Sequence, residues 1–529
     1  MTEQLSGVLL TYFGEAVLIT LLGSAILLAW YRRAVTHGMR ATPVATVTAP
    51  AVAAPSATEA AGAAPGLARV RLRLVVVYGL AGMLAAAVLA KLFLIGLGEP
   101  PRAIQVFGVW YVYCWPLVPT YAALLALSRR ATIWVTLGYV ALGAAVLLVW
   151  SLVSLVAMPE RESTPLQNVL SYFGFLGLEA APPFLIILAL GSRRLRAVSS
   201  LLLAGLLVFS FGNLAVTQGL VLGLDAPLLV ALVERLGAVP YVVVWFMLAA
   251  LPIGYLCWRV LGWLSRAYER KAFSDVQLLV DSWWLIAVFF VMISLAGTFG
   301  WGALAALLAF AGYRAAVALG LWLWPTGARA ASGSRLLLLR VFGFQRRTER
   351  LFDTIAQQWR LSGSVKLIAA ADLAARVIDP GDIIAFMGGH LRDQFVAGEA
   401  DIGRHLARAD ETPDPDGRFR ISEFFCHDTT WQPMLTALLA RSDAVLFDLR
   451  GFSPDNSGCR FELGELARTG RLARTVLVVD GTTDRAFLDA TLAETAMGLS
   501  ARAPAIEPVG GATRDLVRVG QRLAALARA

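Results

Sequence analysis

The sequence predicts a polytopic α-helical membrane domain of about nine transmembrane helices, followed by a cytoplasmic α/β domain with a mainly parallel sheet. Three observations carry this prediction. Apolar residues make up 58% of the 529 and charged residues only 16%, too apolar for an ordinary soluble protein. Long apolar stretches fill the chain as far as Pro325, each about the 20 residues that a helix needs to cross hydrocarbon. Beyond Ser334, short apolar runs alternate with helical patterns, the signature of strands and helices in turn.

The predicted spans are Val8–Trp30, Leu74–Leu97, Ile104–Leu127, Thr132–Ala157, Leu166–Leu190, Ser200–Leu224, Val239–Leu264, Val276–Ala296 and Phe299–Trp324. Their connections alternate in charge. The odd ones hold Arg32, Arg33, Arg40, Arg69, Arg71 and Arg73, then Arg129 and Arg130, then Arg193, Arg194 and Arg196, then Arg266, Arg270 and Lys271. Arg329 and Arg335 follow the last span. Of the even connections, three hold single arginines, Arg102, Arg161 and Arg235, each with acidic neighbours, and the last holds none. Basic loops stay in the cytoplasm, which predicts an N-terminus outside, a C-terminal domain inside, and a bacterial-type inner membrane as the location. The first span is not read as a cleaved signal, because Glu3 and no basic residue precedes a long apolar run. Residues 41–66, rich in Ala, Pro and Thr, read as a disordered cytoplasmic linker. The domain bounds are therefore 1–325 for the membrane half, 326–334 for a linker and 335–529 for the α/β domain.

Ionisable residues inside a span are expensive and mark candidate sites. Glu15 and Lys91 lie near the outer surface, where they can pair between the first two helices. Glu179, Asn213 and Arg314 fall near mid-membrane. A proton or ligand pathway and an internal ion-pair role both fit, while Asp281 and Arg259 lie near cytoplasmic ends and can reach the interface.

The net charge of +9 resides in the membrane half, with 21 Lys and Arg against 12 Asp and Glu before Arg335. From Arg335 onward the count is 25 against 25, which argues against a nucleic-acid partner. The bilayer is the expected partner, with a nucleotide ligand and a homo-oligomer compatible with the sequence. Four cysteines without CxxC spacing and four scattered histidines indicate neither a disulfide framework nor a metal site.

In the α/β domain, strands are expected at Arg335–Gly343, Val365–Ala370, Ile383–Met387, Ala444–Leu449 and Thr475–Asp480. Helices are expected at Arg346–Leu361, Trp431–Ala440, Arg460–Thr469, Asp484–Ala496 and Arg514–Ala527. Ligands bind parallel sheets at the carboxyl ends of strands. That rule selects Arg340 and Gly343, then Asp448 and Arg450, then Asp480. After Arg450 comes a loop containing Ser453 and Gly458, and a helix expected to carry Glu462 in its first turn. Small residues and helix-start N–H groups suit an anion. Phe424–Trp431 is also conspicuous, with Cys426 beside His427, and reads as a helix start capped by Asp428 or Thr429.

The segment SDAVLFDLRGFSPDNSGCRFELGEL (Ser442–Leu466) resembles the strand–loop–helix of TIR domains. There a Ser-x-Trp-Cys-x-x-Glu-Leu pattern carries the glutamate of NAD-cleaving members. Cys459, Glu462 and Leu463 match that pattern, with Asn456 and Gly458 standing where it has Ser and Trp. Arg376, Pro380 and Gly381 resemble a second TIR box, with Asp379 displaced and about sixty residues before the next strand. The same segment is similar to nucleoside 2-deoxyribosyltransferases, matched at Asp448, Ser457, Gly458 and Glu462. Both resemblances imply cleavage of an N-glycosidic bond at ribose through Glu462, with NAD or another nucleotide as substrate or ligand. The expected function is a membrane-anchored nucleotide-processing protein. The alternatives are a nucleotide-binding sensor, or a protein-docking domain that regulates a transmembrane channel, transporter or anchor without catalysis.

Overall fold

The structure is a computed structural model. It describes residues 22–38 (24 excepted), 67–96, 98, 103–127, 129–157, 164–179, 199–223, 227–325, 333–341, 345–369, 383, 386–389, 391–427, 429–496, 503–510 and 513–528. Glu15, Gly343, Asp428, the linker 41–66 and the Arg376–Gly381 box lie outside the described residues, as does the side chain of Glu179. The chain divides into two units, residues 1–28 with 71–324 and residues 29–70 with 325–529.

The first unit is helical: α1 Leu67–Gly96, α2 Ala103–Tyr113, α3 Leu117–Leu124, α4 Arg129–Ala157, α5 Pro165–Glu179, α6 Ser199–Gly223, α7 Pro227–Leu236, α8 Ala238–Glu269, α9 Asp275–Phe299 and α10 Leu307–Leu323. Among the described residues, four helical stretches are long and apolar enough to cross a membrane: Ala68–Gly96, Arg130–Val153, Met247–Glu269 and Asp275–Leu323. Leu248, Leu251, Tyr255 and Trp258 leave their apolar bodies exposed along α8, as lipid-facing side chains do.

One span departs from the sequence expectation, and the expected turn between the last two spans falls at Gly300–Ala306. Ile104–Leu127 is broken into α2 and α3, because Pro116 has no N–H to continue the helical ladder. The stretch Asp275–Leu323 reverses on itself. Gly300 takes a φ of 53° and a 3₁₀ turn over Gly300–Ala306 follows. Arg314 Nη1 then donates to Asp281 Oδ2 at 2.7 Å, whereas a straight helix would hold residues so spaced about 50 Å apart. Arg314 therefore pairs with Asp281, which does not stand alone at an interface. Asn213 is buried, whereas Lys91 is exposed on α1.

Aromatic side chains tie helices together. Tyr111 and Tyr139 stack at 4.7 Å between α2 and α4. Each hydroxyl donates to the other residue's carbonyl oxygen.

The second unit holds a seven-stranded sheet in the order β3-β4-β2-β1-β5-β6-β7, every pair parallel. The strands are β1 Leu336–Arg340, β2 Val365–Ala369, β3 Phe395–Val396, β4 Ile421–Cys426, β5 Ala444–Asp448, β6 Thr475–Val479 and β7 Ala505–Pro508. Connecting helices are α11 Gln345–Trp359, α12 Glu399–Arg408, α13 Trp431–Arg441, α14 Ser457–Arg468, α15 Arg485–Ala496 and α16 Thr513–Leu526. The central strands β1, β5 and β6 are buried at every residue, which fits their unbroken apolar sequences. Each fully buried Leu, Val or Phe contributes roughly 1.5–3 kcal/mol.

The run Ile383–Met387, expected as a strand, is helical at its described positions. Short apolar runs suit either state, and the edge strand falls on Phe395–Val396 instead. The polar stretch after Glu399 is an integral part of the unit. It forms α12 and then a loop whose charges are consumed internally: Arg420 Nη2 meets Asp414 at 2.8 Å, Arg418 meets Asp416 at 3.3 Å, and buried Lys366 meets Glu411. Burial pushes the Lys366 ammonium below its ordinary value.

Residues 25–38 form one helix, which runs on past Trp30, the end expected for the first span. Ile26 and Trp30 are exposed on one face, while Leu28, Tyr31 and Val35 are buried on the other. From Ala29 onward the helix belongs to the α/β unit, where Tyr31 packs edge-on against Phe386 at 5.8 Å.

Removing one partner of the Asp281–Arg314 pair strands the other. Asp281→Ala is expected to lower the stability of the first unit by about 3 kcal/mol. Asp281→Asn with Arg314→Gln should cost clearly less, as read from thermal unfolding of the full chain in detergent.

Candidate functional site

Strand order reverses at β1. The chain lays β2, β4 and β3 to one side of it and then returns to place β5, β6 and β7 on the other. The crevice between the carboxyl ends of β1 and β5 is therefore the switch point where ligands of parallel sheets bind. Arg340 ends β1 and stands in register with Asp448, which ends β5. Val341 N donates to the Asp448 carbonyl at 3.0 Å, extending the pairing one residue further.

The loop after β5 is held by its own polar groups. Gly451 takes a φ of 77°, a conformation that glycine adopts without steric cost. Ser453 N donates to Asn456 Oδ1 at 2.8 Å. Thr483 Oγ1 donates to the Leu449 carbonyl at 2.9 Å and Asp484 N to the Phe452 carbonyl at 2.9 Å. Arg450 Nε and Nη2 each meet a carboxylate oxygen of Asp448 at 2.7 Å, both residues buried. This bidentate pair is the strong form of a charge-assisted contact. It leaves Arg450 satisfied within its own strand end.

Glu462 lies on α14, which begins at Ser457 and so sets Glu462 in its second turn, not its first. Cys459, Glu462, Leu463 and Leu466 are buried on one stripe, the i, i+3, i+4, i+7 spacing of a core-facing helix. Glu462 is 5% exposed, and its Oε2 has no hydrogen-bond partner among the described residues. Burial pushes its carboxyl up to about 8, against the opposing pull of the Arg340 guanidinium. Cys459 Sγ lies 3.8 Å from the Arg340 carbonyl oxygen, so α14 packs directly on the tip of β1.

Of the predicted site residues, Arg340, Asp448, Arg450 and Glu462 come together at the switch point. Gly458 is half-buried in the first turn of α14. Ser453 serves the loop turn, and Asp480 accepts from Thr482 N at 2.9 Å in a turn after β6. Cys459 was not singled out as a site residue, although its three-residue spacing from Glu462 marks a shared helical face. At the Cys426 segment, Thr430 is the residue preceding α13, with no side-chain cap to the helix. Its hydroxyl instead accepts from His427 N at 3.0 Å and donates to the Val396 carbonyl at 3.0 Å. Burial raises the Cys426 thiol to about 12, so no thiolate nucleophile forms there near neutral pH. Among the described residues no group of His, Cys, Asp and Glu is arranged to hold a metal ion.

No protein-family model matches the chain, and neither does any curated protein or solved structure.

The Glu462 carboxyl makes stability depend on pH with a definite sign. Its folded value lies above its unfolded value, so the folded state holds the proton that the unfolded state releases. Stability from this group is therefore intact below the ordinary carboxylate range, falls as pH rises, and levels off above about 8. Glu462→Gln keeps the neutral shape and removes the loss. The variant should match the wild type at pH 4 and exceed it at pH 9 by about 3–5 kcal/mol, measured by denaturant unfolding of the full chain.

Proposed function

We propose that the α/β unit is a membrane-tethered nucleotide-processing module that cleaves an N-glycosidic bond at the switch point, with Glu462 as the catalytic residue. The observation that supports this reading most is the buried Glu462 carboxyl beside Arg340 at the β1–β5 crevice, whose Oε2 has no hydrogen-bond partner among the described residues. Arg340, at the tip of β1 in register with Asp448, is the cation assigned to a phosphate of the ligand.

The protonation state of Glu462 decides which leaving group suits the site. As the C1′–N bond breaks, its electron pair goes to the departing base. A neutral base needs a proton at that moment, which the neutral Glu462 carboxyl donates. Water adds to C1′ and loses its own proton, restoring the carboxyl. A cationic nicotinamide leaves without protonation, and for NAD the ionised carboxylate would instead stabilise the oxocarbenium-like centre. Cleavage of a neutral-base nucleotide is therefore expected to fall as pH rises through about 8, and cleavage of NAD to rise.

The wider architecture proposed is about nine spans, with the N-terminus outside and the α/β unit on the cytoplasmic face of a bacterial-type inner membrane. The charge alternation of the connections supports it.

A second reading is a nucleotide sensor without turnover. The closed Asp448–Arg450 pair and the near-complete burial of Glu462 favour it.

The test uses the full chain in detergent with nucleoside monophosphates and NAD, assayed for free base. Turnover that drops by about 100-fold or more in Glu462→Gln supports the glycosidase reading. Saturable binding without turnover supports the sensor. Neither binding nor turnover would contradict both.

A further inference from the structure

The helix of residues 29–38 belongs to the α/β unit and is joined to Glu462 by an unbroken series of packed groups. Gly38 sits so close to Phe395 that a Cβ there would lie 2.6 Å from the ring. Phe395, on edge strand β3, stacks on Phe425 at 5.3 Å and lies 6.3 Å from the His427 ring. Its carbonyl lies 3.1 Å from His405 Nε2. From the next residue, the Val396 carbonyl accepts from Thr430 Oγ1 at 3.0 Å, at the start of α13. Trp431, the first residue of α13, packs edge-on against Phe461 of α14 at 5.4 Å. Thr436 Oγ1 adds a second tie from α13 to Glu465 on α14 at 2.8 Å. Phe461 immediately precedes Glu462.

We propose that residues 29–38 act as a positioning element for Glu462, relaying displacement through β3 and α13 to α14; this regulation rests on the glycosidase or sensor reading of that site. Packed interiors shift between discrete arrangements more readily than they deform smoothly, so a rigid helix pressed on Phe395 is a lever. The same helix begins at residue 25, and the division between the units falls at Leu28.

Gly38 offers a direct test, because a side chain there must push the Phe395 ring aside. Amide hydrogen exchange would be followed by mass spectrometry on the full chain in detergent. Gly38→Val and the milder Gly38→Ala are expected to speed exchange several-fold in α14, residues 457–468, while β6 keeps wild-type protection. Trp431→Ala should remove the effect of Gly38→Val on α14. Wild-type exchange in α14 of both Gly38 variants, or equal loss of protection in α14 and β6, would overturn the proposal. Exchange is read without any substrate. A relay without turnover would leave the positioning element standing and remove only the chemistry.

Discussion

The α/β unit is organised around a single costly choice, the burial of a carboxyl at the point where the sheet changes direction. Glu462 occupies a core position on α14, on a stripe otherwise made of Cys459, Leu463 and Leu466. A buried carboxyl without a full set of partners penalises its charged form. The Arg340 guanidinium offsets part of that penalty without overcoming it. The helix, the strand tip and the loop after β5 are therefore arranged around a group that weakens the fold as pH rises. Such local conflict is what functional sites impose on otherwise consistent sequences.

Several charges elsewhere in the unit are neutralised close to home. Asp448 and Arg450 close on each other, Asp414 is held by Arg420, and Asp416 meets Arg418. Lys366, though buried, has Glu411. The Asp281–Arg314 pair follows the same logic in the helical unit, where it joins the two arms of the α9–α10 hairpin. Glu462 Oε2 stands apart from this pattern among the described acidic groups of the switch point, and that contrast is why it is assigned chemistry.

Much of this architecture was legible from the residues. Unbroken apolar runs located β1, β2, β5 and β6 to within a few positions, and 3.6-residue periodicity located α11, α13, α14, α15 and α16. β4 was missed because its first half, Ile421, Ser422 and Glu423, is only partly buried and mixes polar with apolar residues. β7, with four residues ending in Pro508, lies at a sheet edge and gave too short a signal. The residues meeting at the crevice were legible because strand ends are predictable once strands are. Their connections were not. The Asp448–Arg450 closure depends on the turn at Gly451, and the Arg314–Asp281 pair depends on which side chains face each other across the α9–α10 hairpin, neither of which a linear pattern encodes.

The central claim is that Glu462 is neutral at physiological pH in the folded protein. The most direct measurement is a titration of glutamate carboxyl carbons by ¹³C NMR in the detergent-solubilised full chain, wild type against Glu462→Gln. One carboxyl signal, absent from the variant, is expected to titrate near 8. A Glu462 signal titrating in the ordinary carboxylate range, near 4.3 by model-peptide values of about that size, would contradict it.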